Sequence, residues 1–80
     1  MLQTIQRLPV VKLESGLSRS TLYLRITQGL WTKPVRLGPR AVGWPSGDVA
    51  AINVARIAGK TDEEIRALVV HLESARKIAA

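Results

Sequence analysis

The chain has 80 residues, a net charge of +6 at neutral pH, one histidine and no cysteine. A chain of this length forms one small domain that buries about 60% of its unfolded surface, too little for a deep substrate cavity. The lack of cysteine excludes disulfides and thiolate metal sites, and one histidine cannot form a histidine metal cage. No segment has the length of a membrane span or the apolar core of a secretory signal. We therefore expect a small cytoplasmic protein, not bound to membranes, that needs no metal or cofactor.

The positive charge is concentrated in one part of the chain. Residues 1–47 contain seven basic side chains and one acid, which accounts for the whole surplus of +6, whereas residues 48–80 contain five of each sign. A concentration of this kind is typical of a surface that faces phosphates. Basic residues that serve only solubility are the alternative interpretation.

Two short helices joined by a turn are predicted at the start of the chain. The first covers about residues 9–15, with proline at a position where its missing N–H does no harm. Gly16 can adopt the left-handed conformation that ends a helix, and Ser18 can cap the next one. Leu17 before the cap and Leu22 after it have the spacing of a hydrophobic staple, which sets the angle between the helices. The pattern predicts a helix-turn-helix.

The second helix is predicted over about residues 19–28, with Leu22 and Ile26 on its inward face. The residues on the opposite face are Ser20, Thr21, Leu24 and Gln28. Three of these four are polar and suit base edges or phosphates, whereas Leu24 suits a thymine methyl or a protein surface. The free N–H groups at the Ser18 end of the helix suit a phosphate oxygen.

A β-hairpin is predicted between residues 30 and 45, where prolines and glycines exclude a helix and apolar residues alternate around Arg36. We expect Val42 and Trp44 on its inner face, Arg36 facing outwards and Arg40 at the tip. Both tryptophans are expected in the core rather than as base-stacking platforms. Outward arginines on a hairpin beside a helix-turn-helix are typical of a wing that grips the DNA backbone or minor groove.

Two further helices are predicted after the hairpin. The third covers about residues 47–58, with Ser46 as its cap and Val49 and Ile52 towards the core. The fourth begins at Thr61-Asp62-Glu63-Glu64, a capping box with acids on the positive end of the helix. Its apolar residues, spaced like the seam of a short coiled coil, are Ile65, Leu68, Leu72, Ala75 and Ala79. This seam must pack on its own domain or on a second copy, and a homodimer is the slightly favoured alternative because two domains read more base pairs.

Four motifs occur together between residues 7 and 45. They are Arg7-Leu8-Pro9, Gly16-Leu17-Ser18-Arg19-Ser20-Thr21-Leu22-Tyr23, Lys33-Pro34-Val35-Arg36-Leu37-Gly38 and Arg40-Ala41-Val42-Gly43-Trp44-Pro45. In this order and spacing they resemble the AlpA family of prophage regulatory proteins, over about residues 7–59. The resemblance implies a mainly α fold with a small β-hairpin, a winged helix-turn-helix like that of MerR-type regulators and phage excisionases. We expect this DNA-binding domain over residues 5–59 and a packing or dimerising C-terminal helix over residues 60–80.

The resemblance also implies sequence-specific binding to double-stranded DNA, with the second helix in the major groove and the hairpin on phosphates or the minor groove. Many family members have a basic residue directly after the tyrosine, whereas here Leu24 precedes Arg25, so which of the two faces DNA stays open. The candidate DNA-binding residues are Ser18, Arg19, Ser20, Thr21, Arg25, Gln28, Lys33, Arg36 and Arg40.

Three kinds of function fit these features. Transcriptional regulation of a prophage or integrative element, with RNA polymerase as a further partner, is favoured over an architectural, excisionase-type role beside a recombinase. A protein-interaction module of the inhibitor or antitoxin kind, with no DNA site, is the alternative from another class. An enzyme is not expected, because the single histidine, His71, has no nucleophile and orienting group beside it in the predicted arrangement.

Overall fold

The computed structural model describes the backbone of residues 4–79 and the side chains of residues 4–76. Within this range the chain forms four helices and a small three-stranded antiparallel sheet, which confirms the predicted class. The elements in chain order are β1 (Ile5–Gln6), α1 (Leu8–Ser15), α2 (Arg19–Thr27), β2 (Val35–Gly38), β3 (Ala41–Pro45), α3 (Ser46–Ile57) and α4 (Asp62–Ala79).

The core lies where the four helices meet β3. Its largest fully buried side chains include Trp44, Leu22, Ile52 and Ile65, which come from β3, α2, α3 and α4. The buried apolar residues form one cluster, made of Val11, Leu22, Leu30, Trp31, Trp44, Val49, Ile52, Ala55, Ile65 and Val69. Both tryptophans are therefore core residues, as predicted.

The apolar face of α4 packs on this core. Ile65 is fully buried, and the next two residues of the expected seam are half-buried against the cluster. Val69, which the expected seam did not include, is also buried, whereas Ala75 is exposed, contrary to the prediction. The side chain of Ala79 lies outside the described residues. A helix that packs on a globular core uses a wider stripe than a coiled-coil seam, which explains the burial of Val69. The protein's own core thus covers this face from Ile65 to Leu72.

The sheet contains one strand that the sequence pattern did not predict. β1 is two residues long and pairs with β3, with Ile5 opposite Pro45 and Gln6 opposite Trp44. Two residues are too few to show an alternating pattern, so only the tertiary fold identifies this strand. The strand order is β1-β3-β2, which makes β3 the central strand.

The register of the β2–β3 hairpin corrects one prediction. Arg36 lies directly opposite Val42, and opposed residues of antiparallel strands project from the same face. The two side chains were expected on opposite faces. A bulge between Arg36 and Gly38 interrupts the pairing. Arg36 is nevertheless exposed and Val42 only half-buried, so this end of the hairpin lies at the margin of the core.

The start of α3 corrects a second prediction. Pro45 occupies the cap position without a side-chain hydrogen bond, and Ser46 is the first helical residue rather than the cap. The Ser46 hydroxyl instead accepts a hydrogen bond from the Thr4 N–H at 3.1 Å, and the Ser46 N–H donates to the Thr4 carbonyl at 2.8 Å. Ser46 therefore holds the segment before β1 against the start of α3.

The capping box of α4 is confirmed. The Glu64 N–H donates to the Thr61 hydroxyl oxygen at 3.2 Å, and the Thr61 N–H donates to a Glu64 carboxylate oxygen at 3.1 Å. The hydrogen bond from the Thr61 backbone N–H is the main cause that lowers the pKa of Glu64 below its ordinary value, followed by the hydrogen bond from the Thr61 side chain. The charge of Lys60 adds to the effect. These contacts start α4 at the predicted residue.

Candidate nucleic-acid interface

The turn between α1 and α2 has the predicted geometry. Gly16 has a φ of +72°, in the left-handed region, and its N–H donates to the Lys12 carbonyl at 2.9 Å, which closes α1. Ser18 caps α2, because its hydroxyl oxygen accepts from the Thr21 N–H at 3.2 Å. Leu17 is half-buried against the core cluster that contains Leu22, as the staple requires. These contacts fix the direction in which α2 leaves the turn.

The Ser18 and Thr21 side chains are already engaged with each other. The Ser18 hydroxyl also donates to the Thr21 hydroxyl oxygen at 3.0 Å, and Thr21 is half-buried. Ser20 lies between them in sequence, is exposed, and its hydroxyl makes no hydrogen bond to the rest of the described chain. Of the three hydroxyls at this end of α2, the one on Ser20 is therefore the most accessible to an external partner.

The outward face of α2 contains Leu24 rather than Arg25. The Leu24 side chain is 54% exposed and lies one turn from the exposed Ser20 and Gln28. Arg25 is half-buried on the flank of the helix, where it lines a cavity together with Trp31 and Arg56. Leu24 is therefore more exposed than Arg25, and which of the two faces DNA stays a prediction.

The Arg19 side chain is held by an aromatic pair at the first turn of α2. Its guanidinium carbon lies 5.8 Å from the centroid of the Tyr23 ring, within cation–π range. The Tyr23 ring in turn meets Trp44 edge-on, with centroids 6.3 Å apart and planes at 70°. Arg19 is exposed, so its charge is presented to solvent from a position set by the core.

The hairpin adds exposed cations beside α2. Arg36 lies on β2 and Arg40 in the turn that joins β2 to β3, and both are exposed. Lys33 is exposed in the segment between α2 and β2. The structure thus places cations on both elements that the helix-turn-helix interpretation assigns to DNA.

The ion pairs of the described side chains are all in the second part of the chain. They are Arg56–Asp62, Lys60–Glu64, Arg66–Glu63 and Arg76–Asp48. No basic side chain between residues 4 and 47 takes part in an ion pair within the described structure. The positive surplus of the first part of the chain is therefore not neutralised by neighbouring acids and remains available to an anionic partner.

A set of contacts from α4 holds the elements of this interface, and sequence reasoning missed it. Arg66 donates through Nε to the Gln28 carbonyl at 2.9 Å, at the negative end of α2. Glu73 accepts from the Lys33 N–H at 2.8 Å, and Arg76 donates through Nη1 to the Lys33 carbonyl at 2.7 Å. The last helix thus contacts both the end of α2 and the segment that leads into the wing.

The Arg76 side chain is itself anchored in the core. Its Nε donates to an Asp48 carboxylate oxygen at 3.0 Å, and its Nη2 contacts the same oxygen. The Asp48 side chain is 6% exposed and the Arg76 side chain 22%. Asp48 and Arg76 are 28 residues apart, so no local spacing in the sequence indicates the pair.

Residues 4–51 match the family described as "Prophage CP4-57 regulatory protein (AlpA)", a match that covers more than half of the chain. The chain belongs to the AlpA family. This is a family of prophage regulators with a helix-turn-helix DNA-binding fold, in agreement with the arrangement of α1, α2 and the hairpin. The chain is also similar to "Uncharacterized protein ORF88" of Enterobacteria phage P4, with 43% identity over 54 residues. That alignment covers 68% of this chain and 61% of the phage protein, so the chain spans about three-fifths of that relative. No solved structure gives a significant match.

Two other kinds of site are missing from the described part of this AlpA-family chain. None of its helices there is long and apolar enough to cross a membrane. The same residues contain no group of three or more histidine, cysteine, aspartate or glutamate side chains that could hold a metal ion. The exposed cations around α2 and the hairpin remain the principal candidate site.

Proposed function

We propose that this protein is a sequence-specific DNA-binding transcriptional regulator of a prophage or integrative element, acting on double-stranded DNA in the cytoplasm. The observation that carries the proposal is the coincidence of an unpaired positive surplus with the helix-turn-helix and hairpin of the AlpA family. Neutralised phosphates supply much of the affinity of such proteins, and a rigid helix in the major groove supplies sequence discrimination.

The proposed contacts fall into two groups. Ser20, Leu24 and Gln28 form the exposed face of α2 and would meet base edges, with Leu24 against a thymine methyl. The cations Arg19, Lys33, Arg36 and Arg40 would meet phosphates or the edge of the minor groove. Ser18 and Thr21 form the cap of α2 with each other. The free N–H groups in the first turn of α2 would bind a phosphate oxygen. Arg25, on the flank of α2, would contribute through its charge.

The fourth helix supports this proposal as a fixed part of the DNA-binding unit. Three of the residues on which the dimer expectation rested, Ile65, Leu68 and Leu72, pack on the core of their own domain, which accounts for this part of the apolar face of α4 without a second copy. The same observation removes the main support for a protein-interaction module that lacks a DNA site. We propose that one copy forms a complete binding unit.

A salt titration tests DNA binding directly. If about four to six phosphates are engaged, the logarithm of the affinity should fall with the logarithm of salt concentration with a slope of about −4 to −5. Arg40→Ala should reduce that slope by about one unit and weaken binding to all sequences alike. Lys60→Ala is the matched control, since it removes the same charge at a residue paired with Glu64 away from the hairpin. A slope near zero for the unmodified protein would contradict the proposal.

Footprinting across the integrase promoter and attachment site of the element that encodes the protein tests the regulatory part of the proposal. Protection confined to the promoter, with changed transcription, is the expected result. Protection at the attachment site together with stimulated excision would instead assign the architectural role in which DNA is bent for a recombinase. Leu24→Ala should reduce the preference for thymine at one base pair by about 1 kcal/mol, the value of a small apolar contact.

A further inference from the structure

A cavity of about 340 Å³ lies on the side of the molecule where the end of α1, the flank of α2 and the C-terminal part of α3 meet. Leu17, Trp31 and Ile57 supply apolar walls, and Arg25 and Arg56 supply positive charge. Glu14 adds one carboxylate, so the charged residues that line the cavity are net positive. Ile57 is 86% exposed, so its apolar surface is accessible to a partner that enters the cavity.

Two residues of this cavity have buried donors without acceptors. The indole nitrogen of Trp31 has no hydrogen-bond partner among the described residues, although Trp31 is only 3% exposed. The Nε and Nη2 atoms of Arg56 are likewise buried and unpartnered, while its Nη1 is bonded to Asp62 at 3.2 Å. Buried donors are nearly always satisfied in folded proteins, and these three belong to two residues that line the same cavity, which favours an acceptor at this place.

The chemistry of that acceptor follows from a comparison within the same molecule. Arg76 uses its Nε and Nη2 to bind the carboxylate of Asp48, and these are the same two atoms that Arg56 leaves unpartnered. This edge of a guanidinium matches a carboxylate, and the apolar walls match an aliphatic side chain beside it. One-third of the Arg56 side chain is exposed, and binding requires its buried Nε and Nη2 atoms to turn towards the bound group.

We propose that this cavity is a docking site for a protein segment that presents an aliphatic side chain next to a carboxylate. The carboxylate binds Arg56 and the Trp31 indole N–H, and the aliphatic group packs on Leu17 and Ile57. A DNA phosphate fits the cavity less well, because a phosphate has no apolar part to cover these walls. The outward face of α2 around Leu24 is a different face of that helix, so the two partners can bind together.

The two indole N–H signals of the full chain provide the measurement and its internal control. Trp44 donates to the Thr32 carbonyl at 3.0 Å and is fully buried, whereas Trp31 has no acceptor. The ¹⁵N-labelled protein is titrated with an acetylated and amidated Leu-Glu-Asp-Leu peptide and, separately, with the neutral Leu-Gln-Asn-Leu peptide. We expect a saturable shift of the Trp31 signal with the acidic peptide, no shift with the neutral one and little change at Trp44.

Variants locate the response. Ile57→Ser should weaken the acidic peptide about tenfold, since it removes an apolar contact from an exposed position. Val70→Ser, at a residue 64% exposed on α4, is the matched control and should leave peptide binding unchanged. A Trp31 signal that does not move, or moves equally with both peptides, overturns the proposal. A signal that moves with a DNA duplex but not with the acidic peptide also overturns it and assigns the cavity to the DNA interface.

Discussion

Replacement of Arg76 by glutamine tests whether α4 holds the DNA-binding elements in place. The substitution removes the guanidinium that binds the Asp48 carboxylate and the Lys33 carbonyl. Asp48 is left with a side chain that is 6% exposed and has lost its ionic partner. An uncompensated buried charge of this kind costs about 3–5 kcal/mol.

Two features of the site reduce that cost. Asp48 lies in the first turn of α3, where the helix dipole stabilises a negative charge by about 0.3–1 kcal/mol. The substituted position is also partly open, since the Arg76 side chain is 22% exposed, and water can reach the carboxylate. We therefore expect a loss of about 2–4 kcal/mol in the free energy of unfolding. For a domain with a total stability of roughly 4–12 kcal/mol, this is a large fraction.

Urea unfolding followed by tryptophan fluorescence measures the effect, because Trp31 and Trp44 are both buried. The double variant Asp48→Asn with Arg76→Gln should recover about 1–3 kcal/mol relative to the sum of the single variants. Lys60→Gln serves as the control, since its pair with Glu64 is about half exposed and should contribute less than about 0.5 kcal/mol. A loss below about 1 kcal/mol for Arg76→Gln, or strict additivity in the cycle, would refute the reasoning.

Three further predictions concern the cap of α2, the cap of α4 and the sheet. Ser18→Ala should lower the free energy of unfolding by about 1 kcal/mol in urea, because it removes the cap of α2. Ser20→Ala should change that free energy by less than about 0.5 kcal/mol and alter only the preference among operator sequences in a DNA titration. The pKa of Glu64 is lowered in the folded state, so its contribution is present above the unfolded pKa of about 4.3 and is lost as the pH falls through the lower folded value. Glu64→Gln should therefore flatten the acid limb of stability against pH, and an unchanged limb would contradict this. Gly43→Ala should lower the free energy of unfolding by about 1–3 kcal/mol, because the added Cβ would lie 2.5 Å from the Ile5 Cγ2 atom. An unchanged urea midpoint would show that β1 does not pack on β3.

The elements that carry strong local signals were predictable from the sequence. Gly16 marks the end of α1, because glycine readily adopts the left-handed conformation found there. Ser18 marks the start of α2, and Thr61 with Glu64 marks the start of α4, because each of these capping contacts joins residues three positions apart. The prolines, glycines and alternating apolar residues between residues 30 and 45 predicted the hairpin, and its position beside the helix-turn-helix suggested a wing. These signals sufficed for the fold class and for the location of the candidate interface.

The errors at Ser46 and in the hairpin fall where tertiary pairing decides the structure. Ser46 looks like a cap because serine precedes a helix, but Pro45 takes the cap position and the Ser46 hydroxyl binds the backbone of Thr4. The competing partner lies 42 residues away and no local rule can weigh it. The shared face of Arg36 and Val42 has a similar origin, because the register of a hairpin with a bulge depends on pairing rather than on alternation alone.

The role of α4 shows most clearly what a local pattern omits. The expected packing of its apolar residues is found at Ile65, Leu68 and Leu72 but not at Ala75, and its polar residues carry the connection to the candidate interface. Arg66 binds the end of α2, and Glu73 and Arg76 hold the two sides of the Lys33 peptide backbone, which leads into the wing. In the sequence these three side chains look like the solvated face of an amphipathic helix. Because these side chains fix α2 and the wing relative to each other, we expect their substitution to weaken DNA binding by more than the loss of positive charge alone would. Glu73→Gln separates the effect of position from the effect of charge, since it removes a negative charge. If Glu73→Gln strengthens binding as added positive charge would, α4 acts on DNA only through electrostatics; if it weakens binding, the position of the wing is what α4 supplies.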